Sequence, residues 1–178
     1  MKSLVLLVVL FLPLCWLPQA GAQPRSAGSR HNLSVFGEFS ASRPGQGSGF
    51  VYGPTAGAYM QTSRHLGLTA RGSILREGSA IHVYEGLLGP RISAHLPRFT
   101  LYGEGLGGLG HAGYQVPTPT GNGIASGWGL AWQLDAGLDH HILPHTDWRV
   151  VELAYGKVYT GRTVTSTTIS TGLVIHLF

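Results

Sequence analysis

The chain has one cysteine, one long apolar run, few charges and no stretch with a convincing helical period. Each scarcity excludes something. Cys15 lies within the first 22 residues, so the chain from Gln23 onward can form no disulfide and offers no thiolate. Charged residues make up 11% of the 178-residue chain, whereas about a quarter is usual for a soluble domain. From Gln23 onward, 11 Lys and Arg face 8 Asp and Glu, a net charge of +3. No Lys/Arg run exists to grip a phosphate backbone, so nucleic acid is not an expected partner. The apolar run Leu4–Leu17 is too short for a membrane helix, and no second one succeeds it.

That run has a different reading. Lys2 precedes it and Ala20-Gly21-Ala22 comes after it, the pattern of a secretory signal peptide cleaved before Gln23. The expected organisation is a signal peptide over 1–22, a polar disordered lead-in over 23–31 and one domain over 32–178. An exported domain without disulfides suits a bacterial envelope better than an animal secretory route.

Glycine (27 residues), aromatics (4 Trp, 7 Tyr, 6 Phe) and alternation are abundant. In "WGLAWQLDAGLDH", every second residue from Trp128 to Leu138 is apolar, and those between are Gly129, Ala131, Gln133, Asp135 and Gly137. Period two is a strand with one oily face. Similar segments predict eight strands near 32–40, 53–62, 66–76, 81–92, 98–109, 127–139, 147–158 and 167–178. Tight turns are expected at 63–65, 95–98 and 141–147, and long loops at 41–53, 110–127 and 160–167. Apart from the short connection at 77–80, turns and loops alternate, which gathers the long loops at one end. The fold class is all-β, an eight-stranded antiparallel up-and-down barrel.

The oily face can meet a core or a bilayer, and periodicity alone does not choose. With Trp128 outside, Leu66, Leu68, Ala70, Ile74, Tyr84 and Leu88 also fall outside. Glu38, Arg71, Glu85, Arg91, Glu104, Asp135 and Glu152 then fall inside, as do Gln133 and Asp139. The segment 53–62 gives no clear parity. Three features favour lipid. The other face is mainly Gly, Ala, Ser and Thr with isolated charges, unlike a solvated face. Tyr102, Trp128, Trp148, Tyr155 and Tyr159 lie near strand ends, where interfacial girdles sit. Arg149 and Lys157 flank Val151, Leu153 and Tyr155, and are expected to snorkel to opposite interfaces.

The final strand, "TTISTGLVIHLF", ends on Phe178. Signal peptide, eight amphipathic strands and a terminal Phe together resemble the small outer-membrane β-barrel family that includes the OmpA and OmpX barrels. In that family the closing strand ends in an aromatic read by the assembly machinery, with apolar residues at alternate positions before it. Phe178 and Val174 match this pattern, while His176 stands where an aromatic is commoner. The resemblance implies an outer-membrane barrel of a Gram-negative-type bacterium, with outer-membrane lipid and the barrel-assembly machinery as partners and both termini periplasmic. Eight strands enclose a side-chain-filled interior rather than a pore. Buried charges are costly unless paired, so the seven inward charges Glu38, Arg71, Glu85, Arg91, Glu104, Asp135 and Glu152 are expected to form a structural polar network.

No residue set points to a cofactor, a metal or catalysis. "GEGLGG", Gly103–Gly108, fits the dinucleotide pattern but precedes no helix, so close strand packing is its expected role. His140, His141 and His145 surround a turn without a supporting Cys or carboxylate spacing. Ser63 with His65, and Ser93 with His95, share parity as a hydrolase pair would, but at the short-turn end. The expected function is non-enzymatic: envelope integrity, or surface contact through external loops. The loop 110–127, with Tyr114, Pro117, Pro119 and Asn122, is the candidate contact. Two alternatives remain at this point, an exported soluble lipocalin-like barrel binding an apolar ligand and a lipid A acyl hydrolase barrel.

Overall fold

The structure, a computed structural model, describes residues 32–45, 49–77, 81–118 and 121–177. The expected signal peptide and lead-in, Pro119 and Phe178 lie outside the described residues. Eight strands succeed one another: β1 (Asn32–Pro44), β2 (Val51–Gln61), β3 (Leu66–Glu77), β4 (Ile81–His95), β5 (Phe99–Thr118), β6 (Gly121–Leu143), β7 (Thr146–Thr160) and β8 (Arg162–His176). Each pairs antiparallel with its neighbours, and β1 pairs with β8, closing the barrel. Closure leaves no unpaired edge, the condition a sheet must meet to cross a bilayer.

The oily face is outside. Trp128 is 70% exposed and Leu130 69%, and Leu134, Leu68, Ile74, Leu88, Leu109, Leu153 and Ile169 join them in a belt. Exposure of so much aliphatic surface is untenable in water and ordinary in lipid. Trp148 and Phe99 lie at the end of the belt near the termini, and Trp128, Tyr155 and Tyr159 towards the other. The interior holds carboxylates and guanidiniums rather than the oily face. This excludes the soluble barrel with an apolar ligand site.

Strand ends differ from the expectation. The segments 110–127 and 160–167, expected as long loops, are almost wholly strand. The β5–β6 ladder runs from Phe99↔His140 to Thr118↔Gly121, and β7 passes to β8 through Gly161 alone, at φ 64°. That positive φ is a conformation glycine adopts without a Cβ penalty. The connection after β1 is also shorter than expected, because β1 continues to Pro44 and β2 begins at Val51. Beyond the lipid belt neither face has to be apolar, so alternation fades while backbone pairing persists. The expected gathering of long loops at one end is therefore replaced by a strand wall that continues past the belt.

Candidate functional site

The lumen is layered, and its middle layer is ionic. Arg71 on β3 donates from Nη1 to Asp135 Oδ2 at 2.6 Å. Its Nη2 reaches Glu152 Oε1 at 2.6 Å and Glu38 Oε2 at 3.2 Å. Arg149 on β7 donates to Glu38, to Glu152 Oε2 at 3.1 Å and from Nε to Asp139 Oδ1 at 2.9 Å. Arg91 on β4 donates to Glu104 Oε1 at 2.6 Å and Asp139 Oδ2 at 3.3 Å. Bonds between charged groups inside a low-dielectric wall are strong, and breaking one partner out is expensive.

Aromatic rings and neutral donors complete this layer. The Arg91 guanidinium lies between Tyr59 and Tyr102, 4.1 and 3.7 Å from their ring centroids. Arg149 lies 4.6 Å from the centroids of both Phe36 and Tyr102. The Tyr102 hydroxyl donates to Glu152 Oε2 at 2.6 Å, Thr69 to Glu104 at 2.9 Å and Gln133 to Asp135 at 2.7 Å. Gly137 makes room: a Cβ there would collide with the Tyr102 ring.

The layers above and below differ in chemistry. Towards the outer end, one aliphatic cluster joins Val51, Leu75, Val83, Ala112 and Val164, and another joins Leu87, Leu106, Ala131 and Val158. Between them and the ionic layer sits a cavity of about 10 Å³ beside Ser40, Thr55, Ser73 and Glu85. Towards the termini, Phe36, Tyr59 and Val174 pack together. Below them a cavity of about 60 Å³ is lined by Ser34, Gln61, Arg91, Ser93, His95, Thr100, His141, Asp147 and His176.

Of the seven charges expected inside, Glu38, Arg71, Arg91, Glu104, Asp135 and Glu152 meet in the ionic layer. Glu85 does not join them; its carboxylate accepts from Ser73, at 3.3 Å. Two expectations fail. Arg149, expected to snorkel at the lipid interface, is 0% exposed and central to the lumen. The cause is a bulge: β7 carries one extra residue between Arg149 and Glu152 relative to both neighbours, so both side chains turn inward. Tyr102, expected in the girdle, is 5% exposed inside the barrel. Lys157 shares the outer face with Leu153 and Tyr155, as expected.

The closing strand presents one parity to the lumen and the other to lipid. Val174 and His176 face the lumen, whereas Leu173, Ile175 and Leu177 are exposed on the lipid side. His176 has a partner on each side: its Nδ1 bonds Ser34 Oγ at 2.8 Å and its Nε2 bonds Asp147 Oδ2 at 2.9 Å. His141 takes the other Asp147 oxygen at 2.7 Å. This chain of bonds crosses four strands, β6, β7, β8 and β1, and sequence reading missed it because its members lie 142 and 29 residues apart. Its connectivity is that of a nucleophile, base and acid. Ser34, however, is 1% exposed and borders the cavity of about 60 Å³, which admits water but no acyl chain. The bonds staple the seam between first and last strands.

Ser63 and Ser93 take other partners among the described residues. Ser63 Oγ accepts from the Leu66 amide at 3.1 Å, and Ser93 Oγ accepts from Gln61 at 2.8 Å. His65 donates instead to the Ser93 carbonyl at 3.0 Å. His140 packs against Phe99 outside while His141 points inward, so the adjacent imidazoles diverge. In "GEGLGG", a Cβ on Gly108 would collide with the Gly86 carbonyl, a close strand approach that glycine permits.

A closed eight-stranded antiparallel barrel with an apolar outer belt and a charged, filled lumen has the fold of the small outer-membrane barrels of the OmpA/OmpX type. Solved structures agree. The chain is similar to Neisserial surface protein A, with TM-score 0.64 at 12% identity, covering 83% of this chain and 97% of that one. It is also similar to Ail, the attachment invasion locus protein of Yersinia pestis, with TM-score 0.53 at 17% identity, covering 82% and 97%. The N-terminal β-barrel domain of Pseudomonas aeruginosa OprF gives TM-score 0.51 at 14% identity over 80% and 97%. No family model matches the chain. No curated protein matches it in sequence.

Proposed function

We propose that the protein is a non-enzymatic barrel of the outer membrane of a Gram-negative-type bacterium, exported through a cleaved signal peptide, which supports the envelope and presents a surface contact on its outer rim. The observation that carries this reading is the filled lumen. Two aliphatic clusters, an ionic layer and the Phe36–Tyr59–Val174 group occupy it in turn, leaving no continuous path for a solute among the described residues. Function then belongs to the ends and the outer wall. The β5–β6 hairpin, which includes 110–127, carries the wall furthest past the belt and is the element best placed to meet a partner.

The chemistry of that hairpin limits the partner. Ail has been crystallised with a heparin analogue, sucrose octasulfate. Such a polyanion needs cationic side chains, and 110–127 contains no Lys or Arg and one histidine, His111. An uncharged glycan or protein surface suits this segment better.

The test is expression of the full chain in a Gram-negative host, with fractionation, boiled and unboiled gel analysis and planar-bilayer recording. Recovery in the outer membrane, a faster unboiled band and no stepwise conductance are expected. Soluble periplasmic recovery would sink the membrane role, and steady open-channel current would sink the closed lumen. For the surface contact, a variant with 114–123 replaced by a two-residue turn should fold normally and lose cell or glycan adhesion. Unchanged adhesion by that variant would remove the hairpin from the reading.

A further inference from the structure

The outer wall carries a feature that neither lipid burial nor the lumen explains. Ile74↔Tyr84, Tyr84↔His111 and His111↔Trp128 are directly opposed pairs, so these four residues form one row across β3, β4, β5 and β6. Opposed residues share a face, and Ile74 and Trp128 are exposed on the lipid side. The next rung outward adds Arg76 opposite His82. Phe99 lies at the lower girdle, and twelve residues of β5 separate it from His111. At about 3.3 Å per residue and a tilt near 40°, this is a rise of roughly 30 Å. The row therefore sits at the headgroup depth of the outer leaflet.

The polar groups in this patch are basic and lean on one another. The His82 and His111 rings stack at 5.2 Å and 16°. Arg76 lies over Tyr84 at 5.4 Å, and His111 packs against Trp128 at 5.1 Å. His111 Nδ1 is buried and has no hydrogen-bond partner among the described residues. The neighbouring acid, Glu77, sends its carboxylate towards Gly49 instead. Three nitrogen-bearing side chains thus crowd together on a lipid-facing wall without a counter-charge among the described residues, and a buried polar atom left unpaired is costly.

We propose that Arg76, His82 and His111 form a binding site for the anionic phosphate headgroup of an outer-leaflet lipid, whose acyl chains lie along Leu88, Leu109 and Leu130. The headgroup supplies the counter-charge for Arg76, and Tyr84 and Trp128 give it an aromatic floor. Arg76 offers the planar donor fork that suits a phosphate. The site shares His111 with the hairpin but lies outside 114–123, the part replaced in the test of the surface contact, so failure of either leaves the other intact.

Native mass spectrometry of the detergent-extracted mature chain tests this, with phosphatidic acid and phosphatidylcholine of matched acyl length as probes. Retention of phosphatidic acid but not phosphatidylcholine is expected. The double variant Arg76→Gln/His111→Gln should hold phosphatidic acid at least about tenfold more weakly, the loss of one charge-assisted hydrogen bond. Arg43→Gln, an exposed arginine outside the row, should bind as the parent does. Equal retention of both lipids, or undiminished retention by the double variant, overturns the site. Displacement of the lipid by millimolar inorganic phosphate overturns the commitment to a lipid headgroup. The unboiled band verifies folding of each variant. Should the double variant fail that check, Arg76→Gln alone carries the test, with a several-fold loss expected.

Discussion

Arg149 and Glu152 stand three residues apart on β7, yet both point into the lumen, with Arg149 Nη1 3.1 Å from Glu152 Oε2. A regular strand would send them to opposite faces. The extra residue between them lets one strand supply both a cation and an anion to the same layer.

Removal of Val150 should therefore be tolerated better than removal of a residue from the regular part of β7. It takes out the extra residue and leaves Arg149 and Glu152 two apart, both still facing inward. Arg149→Met keeps the strand register but removes one of the two cationic partners of Glu38, Asp139 and Glu152, and should cost about 3–5 kcal/mol. Urea unfolding in lipid vesicles, monitored by the shift between unboiled and boiled bands, measures both. A loss below about 1 kcal/mol for Arg149→Met would contradict the ionic layer as the structure describes it.

Gly137 and Tyr102 form a second pair whose dependence can be measured. Gly137→Ala places a methyl against the Tyr102 ring and should destabilise by about 1–3 kcal/mol. In a Tyr102→Ala background the same change should cost almost nothing, because the ring is gone. Equal costs in the two backgrounds would show that the pair is not coupled.

His176→Phe would bring the closing strand nearer to the pattern that terminal strands of this kind commonly show. Here it should weaken the barrel, by about 1–3 kcal/mol, because it removes the bonds to Ser34 and Asp147 and leaves buried polar atoms behind. Asp147→Asn should be less than additive with it, since both break one link. Additive losses in denaturant titrations would separate the two residues.

Single-channel recording offers a fourth test. Leu87→Ser together with Leu106→Ser opens one aliphatic cluster but leaves the other cluster and the ionic layer in place. Conductance should stay at the level of the bare bilayer. A steady current in this variant would mean that the lumen is sealed at that one level only.

How much of the fold and the lumen was legible in the sequence depended on whether alternation stayed regular. Glu38, Arg71, Glu85, Arg91, Glu104, Asp135 and Glu152 were placed inside because each sits opposite an apolar neighbour in parity. Arg149 was misplaced because one inserted residue reverses parity locally, and a bulge of this kind has no composition signal of its own. Tyr102 was misplaced because tyrosine suits both a girdle and a polar core; only the Glu152 carboxylate facing its hydroxyl decides. The outer strand ends look like loops in the sequence because a ladder in water needs no oily face. The Ser34–His176–Asp147 bonds join the first strand to the last two, and no local pattern announces such a partnership.

The order of layers in the lumen makes the two ends of the barrel unequal towards water. From the outer rim, a solute or hydroxide ion meets aliphatic packing before the ionic layer. From the end that carries the termini, the larger cavity already borders Arg91, a member of the ionic layer. The buried charges are thus wired to one compartment. Isotope exchange into the Arg71–Arg149 layer should proceed from the terminal end, and reagents confined to the other side should find the barrel inert.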